Sequence, residues 1–187
     1  MGKDFIEILK KGGVGIMPTD TIYGLVASAF FPDSCERVKE IKGRNAGKGF
    51  IVLVSSVDDL QEFGVIVSEK AKIFMQKFWP GKLSITLSTK NNKFSYLSAD
   101  DGTIAFRFPN KKNLIEILKQ TGPLVAPSAN PQGLSPAKNI DEAKKYFGDD
   151  VDFYIDEGEL VSAPSTLVKI DGDEIEVLRQ GAVEIVL

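Results

Sequence analysis

Over residues 4–147 short apolar runs alternate with helical patterns, and this alternation constrains the fold of the 187-residue chain more than any other feature. Residues 4–11 place Phe5, Ile8 and Leu9 on one helical face and stop at Gly12-Gly13. Residues 14–17 read as a buried strand ended by Pro18. After a loop, residues 33–42 read as a helix capped by Asp33 with Glu36 three positions on. Residues 50–54 form a second buried strand, and 68–78 an amphipathic helix with Ala71, Phe74, Met75 and Phe78 on one face. Strands are expected over 83–88, 103–108 and 124–126, with helices over 111–120 and, capped by Asn139, over 139–147. Strands alone follow, over 151–155, 165–170 and 174–178, the last two joined by an Asp171-Gly172 turn. Alternating helices and strands predict an α/β fold; a terminal hairpin cannot be parallel, so the sheet is mixed. No linker interrupts the pattern, so a single domain over residues 1–187 is expected.

What the chain lacks narrows its chemistry. It contains no histidine, which removes Ser-His and Cys-His nucleophiles, histidine bases and histidine metal sites together. Cys35 is the single cysteine, so no internal disulfide forms. The first residues alternate charged and apolar types, unlike a secretory signal, and nowhere do some 18 apolar residues run together. A soluble, cytoplasmic protein without a membrane segment is expected. Net charge is −3, from 23 basic and 26 acidic residues, so any anion must be held by local clusters of Lys and Arg.

The common nucleotide fingerprints fail. Residues 43–49 are one residue short of a P-loop, and residues 13–18 lack the last glycine of a dinucleotide fingerprint. Four other places remain. Pro18-Thr19-Asp20-Thr21-Ile22-Tyr23-Gly24-Leu25 follows the first strand, where loops of an α/β sheet line a ligand crevice, although such hydroxyls also serve plain turns. Lys42, Arg44 and Lys48 place three cations within seven residues of a glycine-rich loop, suited to a polyphosphate or simply solvated. In Pro127-Ser128-Ala129-Asn130-Pro131 the prolines favour an extended backbone, which turns Ser128 and Asn130 to the same side. Arg107 stands between Phe106 and Phe108; turned inward it needs an anion partner, turned outward it meets water. Ser165-Thr166 and Arg179 open and close the terminal strand pair.

In order, the segments PTDTIYGL, IKGRNAGKGFIVLV, FWPGKLSITL, TIAFRFP, PLVAPSANPQG, PSTLVKI and VLRQGAV span residues 18–183 and resemble the YrdC/Sua5 family of threonylcarbamoyl-AMP synthases, in its short single-domain form. The resemblance implies a twisted mixed sheet with helices around a large, basic-lined cavity. It implies synthesis of threonylcarbamoyl-AMP and pyrophosphate from L-threonine, bicarbonate or CO2, and ATP. A separate transferase complex then uses the product to make threonylcarbamoyladenosine in tRNA. By position Lys42, Arg44, Lys48, Thr103, Asn130 and Arg179 correspond to ATP-binding residues, and Thr21, Arg107, Ser128 and Ser165 to threonine-binding ones. No residue is assigned as acid or base and no protein metal site is implied; Mg2+ is expected to be carried by the nucleotide. The chain departs from the pattern at Leu53, where many relatives have histidine, and at Lys82 and Ser84, where Pro and Thr are common.

Attack of a carbamate oxygen on the α-phosphorus, with pyrophosphate leaving, suits a histidine-free chain, since adenylation depends on alignment and charge neutralisation more than on a protein acid or base. Two other readings stand beside it. A basic hollow could hold tRNA or double-stranded RNA weakly, against which the net charge argues. A related domain in hydrogenase-maturation proteins handles carbamoyl adenylate, within much larger chains. Pyrophosphate release that depends on threonine separates the enzyme from the RNA module.

Overall fold

The computed structural model describes residues 4–43, 47–172 and 174–185. Among the described residues five α-helices, α1 (Asp4–Lys10), α2 (Pro32–Lys42), α3 (Glu69–Phe78), α4 (Lys112–Thr121) and α5 (Ile140–Phe147), alternate with strands β1 (Val14–Pro18), β2 (Tyr23–Ser28), β3 (Ile51–Leu53), β4 (Leu83–Ser88), β5 (Thr103–Arg107), β6 (Leu124–Val125), β7 (Phe153–Tyr154), β8 (Thr166–Asp171) and β9 (Glu174–Arg179). The strands form one mixed sheet in the order β7-β1-β2-β6-β3-β5-β4-β8-β9. β3 and β5 run parallel, as do β4 and β8, while β1–β2, β4–β5 and β8–β9 are antiparallel.

The expected mixed α/β architecture is therefore present, with three local differences. Residues 23–28 are a strand, not loop, so residues 19–22 are the turn of a β1–β2 hairpin. β2 is buried on both faces over its whole length, which erases the alternation that announces a strand. Asp33 does not cap α2: Phe31 is the N-cap without a side-chain bond, and Pro32, with its missing N–H, starts the helix instead. Asp58–Phe63 and Asn92–Leu97 form 3-10 helices where loops were expected. Ser68 and Asn139 do cap α3 and α5, accepting from Ala71 N and Glu142 N.

Alternate residues of the central strands serve opposite faces. Ile16, Leu25, Val52 and Val125 join α2, α3 and α5 in the larger core, while Met17, Val26, Leu53 and Leu124 join Leu9 of α1 and Leu114 and Leu118 of α4 in a smaller one. That smaller layer ends at Leu53. Beside Leu53 in the ladder stands Arg107, and across β4 and β8 the same face continues as Ala105, Thr86 and Lys169. One face of the sheet thus changes from apolar to polar at the β3–β5 step, and the candidate site lies at that boundary.

Candidate functional site

The β1–β2 turn is tied by Thr19. Its hydroxyl donates to Ile22 O (2.7 Å) and accepts from the N–H groups of Thr21 (3.1 Å) and Ile22 (3.2 Å). The turn so held presents two adjacent acceptors to one cation. Arg107 Nη2 donates to Asp20 Oδ1 at 2.6 Å and Nη1 to Thr21 Oγ1 at 3.1 Å. Asp20 also accepts from Asn110 N at 3.1 Å. Both side chains of the ion pair are nearly sealed from water, at 5% and 4% exposure. Arg107 is therefore the inward arginine, and its partner in the free protein is a carboxylate of its own chain. Burial pulls its pKa below the ordinary value; Asp20 opposes that shift and Arg179 adds to it. Its Nε is buried with no hydrogen-bond partner among the described residues.

The segment after β6 lies along β2, with Leu25 N bonded to Pro127 O and Ala129 N to Tyr23 O, both at 2.9 Å. Lys42, at the end of α2, reaches it from behind: its ammonium donates to Ser128 O (2.5 Å), Asn130 O (2.6 Å) and Asn130 Oδ1 (3.2 Å). The Asn130 amide closes its own loop on Pro131 O and Leu134 O. Lys42, buried at 6% exposure, thereby fixes the strip that bears Ser128 and Asn130.

On the far side, Thr166 ties down the C-terminal segment. Its hydroxyl donates to Val183 O and accepts from Gly181 N and Val183 N. A Cβ on Gly181 would stand 2.3 Å from Pro164 O, so only glycine lets the segment pass. Arg179 at the end of β9 then wraps Ser165, Nη2 donating to its carbonyl at 2.8 Å and lying 3.3 Å from its hydroxyl. Arg179 as a whole is exposed, but local desolvation of its guanidinium lowers its pKa, and among the described residues that guanidinium makes no ion pair. Ser165 Oγ is also 2.9 Å from the Oγ of fully buried Ser84 in β4.

These three strips enclose a cavity of about 210 Å³. Thr21, Arg107, Ser128 and Ser165, the four expected threonine ligands, all line it, together with Arg179 from the expected ATP set. Ile51, Leu53 and Ala126 give it an apolar wall, so Leu53 does meet the cavity where relatives have histidine. Among the described residues its charged lining consists of the two arginines. The rest of the ATP set is more dispersed. Lys42 and Asn130 stand behind the Ser128 strip. Lys48 lines a separate hollow of about 490 Å³ with Lys39, Glu36, Glu40 and Asp100. Thr103 begins β5 four residues from Arg107, roughly 13 Å along the strand, with its hydroxyl given to Asp101 at 2.6 Å. Arg44 lies outside the described residues. Two participants went unseen in the sequence, Asp20 and Ser84; Asp20 sits inside PTDT, but only the hairpin brings it to a strand residue 87 positions away.

The site offers donors and positive charge, with no acid–base pair. Burial pushes the Cys35 thiol up to about 12, so it supplies no thiolate near neutral pH. Among the described residues no three acidic or thiol side chains gather to hold a metal.

The sequence and the fold are similar to those of known proteins. A family model for Sua5, YciO and YrdC, described as "Telomere recombination", matches residues 7–181. A putative threonylcarbamoyl-AMP synthase of Mycobacterium tuberculosis is 33% identical over 179 residues, covering 95% of this chain and 82% of that protein. Among solved structures, Pyrococcus abyssi Sua5 complexed with L-threonine superposes with a TM-score of 0.86 at 26% identity, over 95% of this chain but 53% of that one, so this chain spans about half its length. Escherichia coli YciO gives a TM-score of 0.87 at 25% identity, over 97% of this chain and 89% of that one. By sequence and by fold, this chain belongs to the Sua5/YciO/YrdC family.

Proposed function

We propose that this chain is an L-threonylcarbamoyladenylate synthase, joining L-threonine, bicarbonate or CO2, and ATP into threonylcarbamoyl-AMP and pyrophosphate for tRNA modification. One observation carries the reading: Thr21, Arg107, Ser128, Ser165 and Arg179, drawn from five separate stretches of sequence, converge on one cavity. Relatives named threonylcarbamoyl-AMP synthase support it, as does the fold of a neighbour solved with L-threonine.

In this reading the threonine carboxylate meets Arg107 and the hydroxyls of Thr21, Ser128 and Ser165 fix the amino acid. The neutral threonine amine forms a bond to the carbon of CO2 and releases a proton to solvent, leaving a carbamate. A carbamate oxygen then bonds to the α-phosphorus of ATP as the bond to the leaving pyrophosphate breaks. Arg179 would face that negative charge, and Lys48, with Arg44 by its sequence position, would add to the phosphate grip. The reaction is a nucleotidyl transfer carried out by positioning and charge neutralisation. Mg2+ would arrive on the ATP phosphates and supply further charge neutralisation there.

The product would pass to a tRNA threonylcarbamoyl-transferase complex in the cytoplasm, and residues 1–187 would act as one domain. No helix among the described residues is long and apolar enough to cross a membrane. Pyrophosphate release measured with ATP, threonine and bicarbonate, each omitted in turn, tests the proposal. Release that continues without threonine refutes it.

A further inference from the structure

Ser84 is an unlikely place for an idle hydroxyl. It lies in β4 at 0% exposure, behind the cavity wall, and Ser165 Oγ at 2.9 Å is the one hydrogen-bond partner of its side chain among the described residues. Geometry alone lets either serine donate. Satisfaction of the hydrogens decides between them. If Ser165 donated, the Ser84 hydrogen would be left buried without an acceptor, an arrangement that folded proteins avoid. If Ser84 donates, every hydrogen is used, because Ser165 lines the cavity and has somewhere else to point.

Ser165 has a second neighbour that settles its own role. Arg179 Nη2 stands 3.3 Å from its Oγ and can only donate. The Ser165 oxygen thus accepts from Ser84 on one side and a guanidinium on the other, and its single hydrogen is left for the cavity. Two donors on one hydroxyl oxygen polarise its O–H bond and strengthen it as a donor.

We propose that Ser84 is a positioning residue: it donates to Ser165 and so turns the Ser165 hydrogen into the cavity, toward an acceptor oxygen of the amino-acid substrate. Ser84 touches no substrate and acts through Ser165 alone. The inference rests on the function proposed above in taking threonine as that substrate; the direction of the hydrogen bond does not.

Two measurements test it. Calorimetric titration of L-threonine into the parent, Ser84→Ala, Ser165→Ala and the double variant gives a cycle. Ser84→Ala should weaken threonine about three- to tenfold, and Ser84→Thr, which keeps the hydroxyl, should stay within about twofold of the parent. In the Ser165→Ala background the loss from Ser84→Ala should vanish, whereas a general packing defect would persist there. Persistence of the loss, or no loss in the single variant, overturns the proposal. ATP affinity should hold within about twofold, since Arg179 keeps its bonds to the Ser165 carbonyl. Neutron diffraction from crystals of the deuterated, ligand-free protein reads the direction itself. Deuterium on Ser84 pointing at Ser165 supports the proposal; deuterium on Ser165 pointing at Ser84 overturns it. A parent that binds no threonine would defeat the proposed function while this second measurement still judged Ser84.

Discussion

Replacing Asp20 by Asn tests whether the site is held together by its buried ion pair. The substitution keeps the shape but removes the charge and turns one of the two accepting oxygens into an NH2 donor, so that either Arg107 or the Asn110 N–H loses its acceptor. The guanidinium it leaves is in a poor position. Arg107 has five N–H donors; Nε already lacks a partner, and Thr21 Oγ1 is the remaining acceptor contact. With both partners at 5% exposure or less, water replaces the lost carboxylate poorly. Breaking a buried pair from one side costs about 3–5 kcal/mol. For a protein of this size that corresponds to a fall in Tm of roughly 6–20 °C, at about 2–4 °C per kcal/mol.

Arg107→Met breaks the pair from the other side, stranding Asp20, and should destabilise by a comparable amount. Removing both charges together should be milder than the sum by at least about 2 kcal/mol, because a buried pair replaced by neutral groups often costs little. Urea unfolding of the parent, both single variants and the double variant, with midpoints and slopes compared, gives the coupling directly. Single variants as stable as the parent, or losses that simply add, would refute the reasoning and place Arg107 in contact with water.

Four further outcomes are expected. Arg107→Met should raise the Kd for threonine about tenfold to a hundredfold, 1.4–2.8 kcal/mol on the affinity scale, with ATP affinity measured alone near the parent's; calorimetry separates the two. Arg179→Ala should weaken ATP by about 1.5–3 kcal/mol if a charge-assisted contact is lost, with Tm nearly unchanged because the residue is exposed. Lys42→Met should lower stability and weaken threonine and ATP together, since it frees the strip bearing Ser128 and Asn130, whereas Lys48→Met should leave threonine affinity unchanged; denaturation and paired titrations check both. The Asp101 carboxyl is held down to about 2, first by its hydrogen bond to Lys169 and then by Thr103. A depressed carboxylate pKa stabilises fully above its unfolded value near 3.9 and loses that contribution as pH falls toward 2. Asp101→Asn should therefore flatten the acid limb of the urea midpoint between about pH 4 and 2, by a small amount because the side chain is 44% exposed.

Period and punctuation made much of this fold legible before any coordinates. Helix α1 stops ahead of Gly12-Gly13 and α5 starts after Asn139 as those residues indicate, and β8–β9 turns at Asp171-Gly172 as the pair of runs around it requires. β2 escaped because a strand covered on both faces has no reason to alternate, and YGLVAS, small and apolar by turns, does not. The consequence reached the site. Read as a loop after a strand, PTDT has hydroxyls to show a ligand; folded as a hairpin turn, it has a carboxylate to hold an arginine.

The site was legible to the extent that its side chains face the cavity, and illegible where they face one another. Thr21, Arg107, Ser128 and Ser165 stand out in sequence because hydroxyls and a cation interrupt apolar surroundings, and all four reach the cavity. Lys42 stands out for the same reason, yet its charge is turned toward backbone carbonyls. A cation among glycines looks alike in sequence whether it waits for phosphate or grips a loop. The difference lies in contacts 86 and 88 residues away, which neither propensity nor periodicity encodes. Asp20 on Arg107 and Ser84 on Ser165 are of the same kind, at separations of 87 and 81. What long-range pairing adds is therefore the orientation of the groups that bind: a turn locked onto a guanidinium, a strip clamped by an ammonium, and one hydroxyl turned outward by another.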